Sequence, residues 1–218
     1  MFSFNIFGGK TLMKQLKKVI GFKASLNATL IVSAALVLSS CGVQSIPQQK
    51  NEVEATLSEV TNQYKRRTDL IPNLVGTVKG YASHEKETLE GVVNARAKAT
   101  QMTIDPTKVS AEKLVEFQKA QGELSTALGR LMMITENYPQ LKADANFRDL
   151  QAQLEGTENR ITVARNRYIE SIKVFNNLVT VPPTSWTNSI LYKNDKMPQW
   201  DVSAAEKGQI EKAPEVKF

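Results

Sequence analysis

The apolar residues of this chain recur at helical spacing over most of its length. Between residues 53 and 179 they alternate by three and four positions, the period of a helix that buries one face. No segment alternates apolar and polar residues at every second position around a hairpin turn, as paired β-strands do. The pattern therefore predicts an all-α fold, a long antiparallel up-and-down bundle of about four helices over residues 52–180.

The four predicted helices cover residues 53–81, 85–102, 110–138 and 147–179. Continuation of the first helix into the second through residues 81–84, with little break, is the alternative at that junction. Each helix is expected to turn one row of residues to the core. These rows are Val53, Leu57, Val60, Tyr64, Ile71, Leu74, Val78 and Tyr81; Leu89, Val92, Val93, Ala95 and Ala99; Leu114, Phe117, Gln121, Leu124, Leu128, Leu131 and Ile134; and Phe147, Leu150, Leu154, Thr157, Ile161, Ala164, Tyr168, Ile172, Phe175 and Val179.

Pro72 stands inside the first predicted helix. A proline there leaves the carbonyl of Thr68, four residues earlier, without its usual N–H donor and crowds it. The apolar spacing resumes in phase after Pro72, so we expect one helix with a kink at residues 68–72; two shorter helices are the alternative. A buried carbonyl needs another donor, which an arginine or Asn73 could provide.

The first forty residues have a different pattern. Lysines precede an uncharged apolar run at residues 26–38, and Ser39 and Ser40 follow it. This order is typical of a secretory signal, and the run is shorter than the ~20 residues of a membrane-spanning helix. We therefore predict a signal peptide over residues 1–40, with Met1 or Met13 as its start.

The segment Leu38-Ser39-Ser40-Cys41-Gly42 resembles a bacterial lipobox. The resemblance implies cleavage before Cys41, a diacylglyceryl thioether on its sulfur and acylation of the new amino terminus. Two or three such chains anchor firmly, because each buried methylene contributes ~0.8 kcal/mol. An uncleaved membrane-spanning helix is the alternative anchor.

The lipobox resemblance also predicts where the protein lies. We expect residues 41–51 to be a polar tether, with the bundle outside the cytoplasm. Gly42, a neutral residue after the cysteine, implies the outer membrane, facing the periplasm, if the cell has two membranes.

Charge and residue counts bear on function. The chain has 28 Lys and Arg against 22 Asp and Glu, but five of its lysines and none of its acidic residues lie in residues 1–40. The remainder has a net charge of only +1, so basicity gives no reason to expect nucleic-acid binding. One cysteine and one histidine cannot form the usual zinc site. We expect no metal, no cofactor and no catalytic residue; His84 fits a helix junction better than an acid or base.

Polar residues on the first and last helices form a candidate cluster. One interpretation is a binding site where the two helices face each other. The other is a structural set of ion pairs and hydrogen bonds that fixes helix register near the kink, and this one is favoured. The cluster comprises Arg66, Arg67, Asp69, Asn73, Glu158 and Arg165.

Three segments resemble signatures of the LemA family. They are QYKRRTDLIPNLV at residues 63–75, ENYPQLKADANF at residues 136–147 and ARNRY at residues 164–168, within a match over residues 53–179. The resemblance implies a helical bundle at the bacterial envelope with no established enzymatic activity. Members usually begin with a membrane-spanning helix, for which the lipobox would substitute here.

Residues 181–218 are expected to be irregular, with a polar tail. Trp186 and Trp200 either pack on the bundle or present a surface to a partner or to lipid headgroups. The leading functional hypothesis is a non-enzymatic, lipid-anchored scaffold or adaptor for other envelope proteins. The alternative is a bundle that binds a lipid or a small hydrophobic ligand between its helices. The oligomeric state is open.

Overall fold

The structure is a computed structural model and describes residues 43–200 of the chain. Within this range it contains helices and no strand, so the all-α prediction is confirmed. The elements are α1 (Ser45–Tyr81), α2 (Lys86–Gln101), α3 (Ala111–Thr135), α4 (Pro139–Ala143), α5 (Ala145–Thr180), α6 (Thr184–Thr187) and a π-helical turn (Asn188–Tyr192). The predicted signal peptide, Cys41 and the C-terminal tail lie outside the described residues.

The chain divides into two compact units. Among the described residues, the bundle unit comprises residues 48–177 and 195–200, and the terminal unit comprises residues 43–47 and 178–194.

Contacts within the bundle unit establish the helix directions. Along α1 and α5 the paired residues run in opposite order: Thr56 Oγ1 lies 2.8 Å from Ser171 Oγ, and Arg67 Nη1 lies 2.9 Å from Glu158 Oε1. These two helices are therefore antiparallel. Along α1 and α3 the paired residues run in the same order, since the Tyr64 and Phe117 rings lie 5.1 Å apart and Arg67 bonds Gln121. Helix α3 is therefore parallel to α1. With α2 returning between them, the four long helices alternate in direction, as predicted.

The buried residues follow the predicted rows with few exceptions. Tyr81 and Val93 were expected to face the core but are 45% and 49% exposed. Val93 follows the fully buried Val92 and projects about 100° further around the helix, away from the core. Leu150 and Ile134 are only partly buried.

Helix α1 begins earlier than the apolar spacing predicts. Residues 45–51 were expected to belong to a tether, yet α1 includes them. Ile46 is fully buried and lies seven residues, two helical turns, before the buried Val53. Pro47 falls within the first turn, where a missing N–H costs no helical hydrogen bond. Residues 184–192, expected to be irregular, likewise form helical turns.

Tyrosine–carboxylate hydrogen bonds join the helix junctions of the bundle unit. The Tyr81 hydroxyl donates to Asp144 Oδ2 at 2.9 Å, and the Tyr138 hydroxyl donates to Glu85 Oε1 at 3.0 Å. Asp144 also accepts the Phe147 backbone N–H, and this hydrogen bond, followed by that from Tyr81, lowers the pKa of the Asp144 carboxyl. Asp144 thereby caps the start of α5 while holding the end of α1.

Helix α1 continues through Pro72 without a break, so the prediction of one helix is confirmed and the alternative of two shorter helices is wrong. The kink at residues 68–72 stays a prediction. The Thr68 carbonyl, which Pro72 deprives of its donor, accepts a hydrogen bond of 2.9 Å from Nε of Arg96 on α2. An arginine therefore does supply the missing donor, but from the neighbouring helix.

We predict that Arg96→Met lowers the free energy of unfolding by about 1–2 kcal/mol, because the Thr68 carbonyl loses its donor. In a Pro72→Ala background the residue at 72 has its own N–H for that carbonyl, and the same substitution should cost clearly less. Urea unfolding of the four proteins of this double-mutant cycle measures the coupling. Equal costs in both backgrounds would show that the arginine does not act through Thr68.

Candidate functional site

Arg67 occupies a core position of α1. It lies three residues after Tyr64 and four before Ile71, both of which are buried, and is itself only 1% exposed. This spacing continues the inward-facing row of α1, so the helix carries the guanidinium into the bundle interior. A cation in this position requires hydrogen-bond acceptors, since desolvation of an unpaired charge is costly.

Two other helices supply those acceptors. From α3, Arg67 Nη2 binds Gln121 Oε1 at 2.6 Å and the Gln121 carbonyl at 3.2 Å, while Nη1 binds Ser125 Oγ at 2.9 Å. From α5, Glu158 Oε1 accepts from Nη1 at 2.9 Å. The guanidinium carbon also lies 5.0 Å from the centre of the Tyr64 ring. One side chain thus ties α1, α3 and α5 together.

Two of the side chains that bind Arg67 also line a groove between α3 and α5. The groove has a volume of about 360 Å³. On each helix the lining residues occur at positions i, i+3, i+4 and i+7, which makes the groove run along the helix axes. They are Ser125, Leu128, Gly129 and Met132 of α3, and Gln151, Leu154, Glu155 and Glu158 of α5.

The groove combines apolar and acidic surface. Leu128, Met132 and Leu154 belong to or pack against the hydrophobic core, and Gly129 has open space where a side chain would project. Glu155 is exposed, and Glu158 keeps 48% of its side chain exposed while bonding Arg67. The groove can therefore receive a row of apolar side chains together with a cation.

A second hollow on the bundle unit is polar. Its volume is about 410 Å³, and Arg66, Arg160 and Asp149 line it with Ala152, Gln153 and Gly156. Arg160 Nη2 donates to Thr157 Oγ1 at 3.1 Å. Charges of both signs line this hollow, so its lining does not favour ligands of one charge.

The predicted polar cluster is divided in the structure. Arg67 and Glu158 bind each other, whereas Arg66 lines the polar hollow and the side chains of Asp69 and Asn73 are exposed. Arg165 lies 5.3 Å from the centre of the Trp200 ring.

Gln121 and Ser125, which bind Arg67, were absent from the predicted polar cluster. A signal for Gln121 was present, because it is a polar residue within the apolar row of α3. Position within an apolar row also distinguishes the two arginines of α1. Arg67 lies on the apolar row of that helix, and Arg66 does not.

Trp200 packs into an aromatic cluster of the bundle unit. Its ring is stacked on Tyr64 at 6.5 Å and meets Phe117 and Tyr168 edge-on at 6.4 and 6.0 Å. Burial raises the pKa of the Tyr168 hydroxyl to about 12. Trp200 therefore packs on the bundle, which was one of the two arrangements expected for the tryptophans. Trp186 of the terminal unit is instead 64% exposed.

Neither a metal centre nor a membrane span is found in the part of the chain that the structure describes. No three His, Cys, Asp or Glu side chains between residues 43 and 200 are grouped to hold a metal ion. None of the helices in the same range is both long and apolar enough to cross a bilayer. His84 is exposed in the junction between α1 and α2.

The described residues define a helical-bundle protein whose buried arginine stands beside a groove between two helices. Residues 56–218 match the model of the LemA family, and the chain belongs to that family. It is similar to the protein named LemA of Metamycoplasma hominis, with 25% identity over 148 residues. That alignment covers 68% of this chain and 63% of the relative, so the chain spans less than two thirds of the relative's length.

We predict that Arg67→Met lowers the free energy of unfolding by about 2–4 kcal/mol, because Gln121 loses its buried donor and Glu158 its partner. Arg66→Met is the matched control: the neighbouring arginine is exposed, and the change should stay within about 0.5 kcal/mol. Chemical denaturation monitored by circular dichroism compares the two. Similar losses for both variants would contradict the structural role of Arg67.

Proposed function

We propose that this LemA family protein is a lipid-anchored adaptor of the bacterial envelope. It binds one helix of a partner protein in the groove between α3 and α5. The single observation that carries the proposal is the lining of that groove, which repeats at i, i+3, i+4 and i+7 on both helices.

The spacing of the groove suits a helical partner. Two antiparallel helices with matched rows of side chains leave between them a channel that a third helix fills with its own row. Ser125 and Gly129 are small, so a partner's backbone can approach α3 closely at that point. Larger side chains at these two positions would hold such a helix further away.

Charge specifies the kind of helix. Glu155 and Glu158 face the groove, and Arg67 neutralises Glu158 only in part because one carboxylate oxygen binds it while the side chain stays half exposed. A partner helix with an apolar row and a lysine or arginine beside it complements this surface.

Exposure favours a helix over a small hydrophobic ligand. Ser125, Gly129, Glu155 and Glu158 are all exposed, so a molecule in the groove keeps one side in water. An apolar ligand binds most tightly in an enclosed cavity, where most of its surface is removed from water. An amphipathic helix buries its apolar row and leaves its polar face solvated.

The lipobox resemblance around Cys41, which stands four residues before α1 begins, supports the proposed lipid anchor. We propose that the mature protein begins at Cys41 and that its bundle lies outside the cytoplasm, facing the periplasm if the cell has an outer membrane. An adaptor in this position needs no catalytic group, and no enzymatic role is proposed.

We predict that Cys41→Ala abolishes incorporation of a radiolabelled fatty acid and leaves the protein at its precursor size. Without the thiol there is no site for the diacylglyceryl group, and cleavage before residue 41 depends on it. Gel electrophoresis of labelled cells checks both effects. Persistence of label and mature size in the variant would disprove lipidation at Cys41.

We predict that a photo-crosslinking amino acid at Gly129 captures, in living cells, a basic amphipathic helix of another protein. Gly91 on α2 is the matched control, since a side chain at either glycine meets nothing within 4 Å. Mass spectrometry of the crosslinked peptide identifies the segment. The expected result is a peptide with lysine or arginine beside an apolar row, captured from position 129 and not from position 91.

Other products would overturn the groove as a helix site. Equal capture from both positions would indicate nonspecific contact, and capture of an acyl chain would favour the hydrophobic-ligand alternative. Gly129→Phe tests the same point without crosslinking chemistry, because its ring fills the groove. It should prevent recovery of the captured protein with the adaptor, whereas Gly91→Phe should not.

A further inference from the structure

The terminal unit is held together by polar contacts. Asn188 is 6% exposed; its Nδ2 donates to the Asn194 carbonyl at 2.9 Å, and its Oδ1 accepts the Asn194 N–H at 3.1 Å. The Lys193 N–H closes the π-helical turn by bonding the Asn188 carbonyl at 2.6 Å. Lys193 adopts a left-handed backbone conformation, which ends that turn. These hydrogen bonds fix the outer surface of residues 184–194.

That outer surface is apolar. Trp186, Ile190 and Leu191 are 64%, 74% and 58% exposed. Trp186 lies on α6, and Ile190 and Leu191 lie on the π-helical turn that follows, about one turn further along the chain. Three large apolar side chains face water here while Asn188 is buried, the reverse of the usual arrangement in a soluble helix. We call Trp186, Ile190 and Leu191 the apolar patch.

The terminal unit includes residues that lie close in the chain to Cys41, the proposed lipid anchor. The Tyr192 hydroxyl donates to the Val43 carbonyl at 2.6 Å, so the residue that follows the patch holds the start of the described chain. Val43 is two residues after Cys41, a distance of about 7 Å at full extension. With Cys41 lipidated as proposed, the membrane surface would lie within about 7 Å of Val43.

We propose that the apolar patch inserts into the interface of the membrane that carries the anchor. The inference rests on the lipid anchor of the proposed function. Tryptophan favours the headgroup level of a bilayer, where its ring is solvated by both phases, and isoleucine and leucine bury their side chains at the acyl boundary. A second contact beside the lipid limits the rotation of the terminal unit about its anchor.

The test uses the mature lipoprotein in vesicles of phosphatidylethanolamine and phosphatidylglycerol. Trp186 and Trp200 are the two tryptophans of the chain, so the emission lost on Trp186→Phe belongs to Trp186. We expect lipids brominated on the acyl chains to quench that component about twofold or more, and acrylamide in the water to quench it little. Buried Trp200 should respond weakly to both.

An environment-sensitive label gives a second readout at a neighbouring position. Cys41 is the single cysteine of the chain and is acylated in the mature protein, so Ile190→Cys introduces one free thiol for a nitrobenzoxadiazole dye. Val163→Cys is the matched control, an apolar position that is 50% exposed on α5 of the bundle unit. We expect the dye emission to rise and shift to the blue at position 190 and to stay water-like at position 163.

Flotation of the vesicles separates this inference from the proposed anchor. Protein that floats while Trp186 is quenched by acrylamide and not by bromolipid overturns the membrane contact alone. Shielding of Trp186 from both quenchers would place another protein surface on the patch, such as a second copy, and would also overturn it. Protein that fails to float overturns the anchor and the inference together.

Discussion

Two consecutive residues of α1 carry polar groups that the bundle interior must satisfy, and together they bind all three neighbouring long helices. The Arg67 guanidinium is a nearly fully buried cation and takes its acceptors from α3 and α5. The Thr68 carbonyl, freed by Pro72, takes its donor from Arg96 of α2. Apolar side chains tolerate a shift along a helix better than these hydrogen bonds do, because an unpaired buried polar group costs more than an imperfect apolar contact.

The same polar centre shapes the surface beside it. Ser125 and Glu158 bind the buried Arg67 and also line the groove between α3 and α5. Because Arg67 bonds both side chains, it holds the two helices that form the groove at a fixed separation. A partner helix would meet a surface set by the core.

The proposed adaptor uses its two units for different contacts. The bundle unit offers an acidic groove with an apolar floor, which suits a helix, while the terminal unit offers an apolar patch beside the chain that leads from Cys41. Each contact follows from exposed side chains held by internal hydrogen bonds. The first would give specificity for a partner, and the second would orient the anchored protein at the membrane.

Sequence periodicity by itself determined the helical class, the four long helices and nearly all of the buried rows, because burial of one helix face imposes a three-and-four spacing that can be read directly. It also indicated that the Thr68 carbonyl needs a donor. Only the tertiary structure decided that Arg96 provides it, that Arg67 binds Gln121 and Ser125 while Arg66 faces the polar hollow, and that α1 begins at Ser45. These outcomes depend on distances between residues far apart in the chain. A local pattern of apolar and polar positions specifies which face of a helix is buried, but not which neighbour that face will meet.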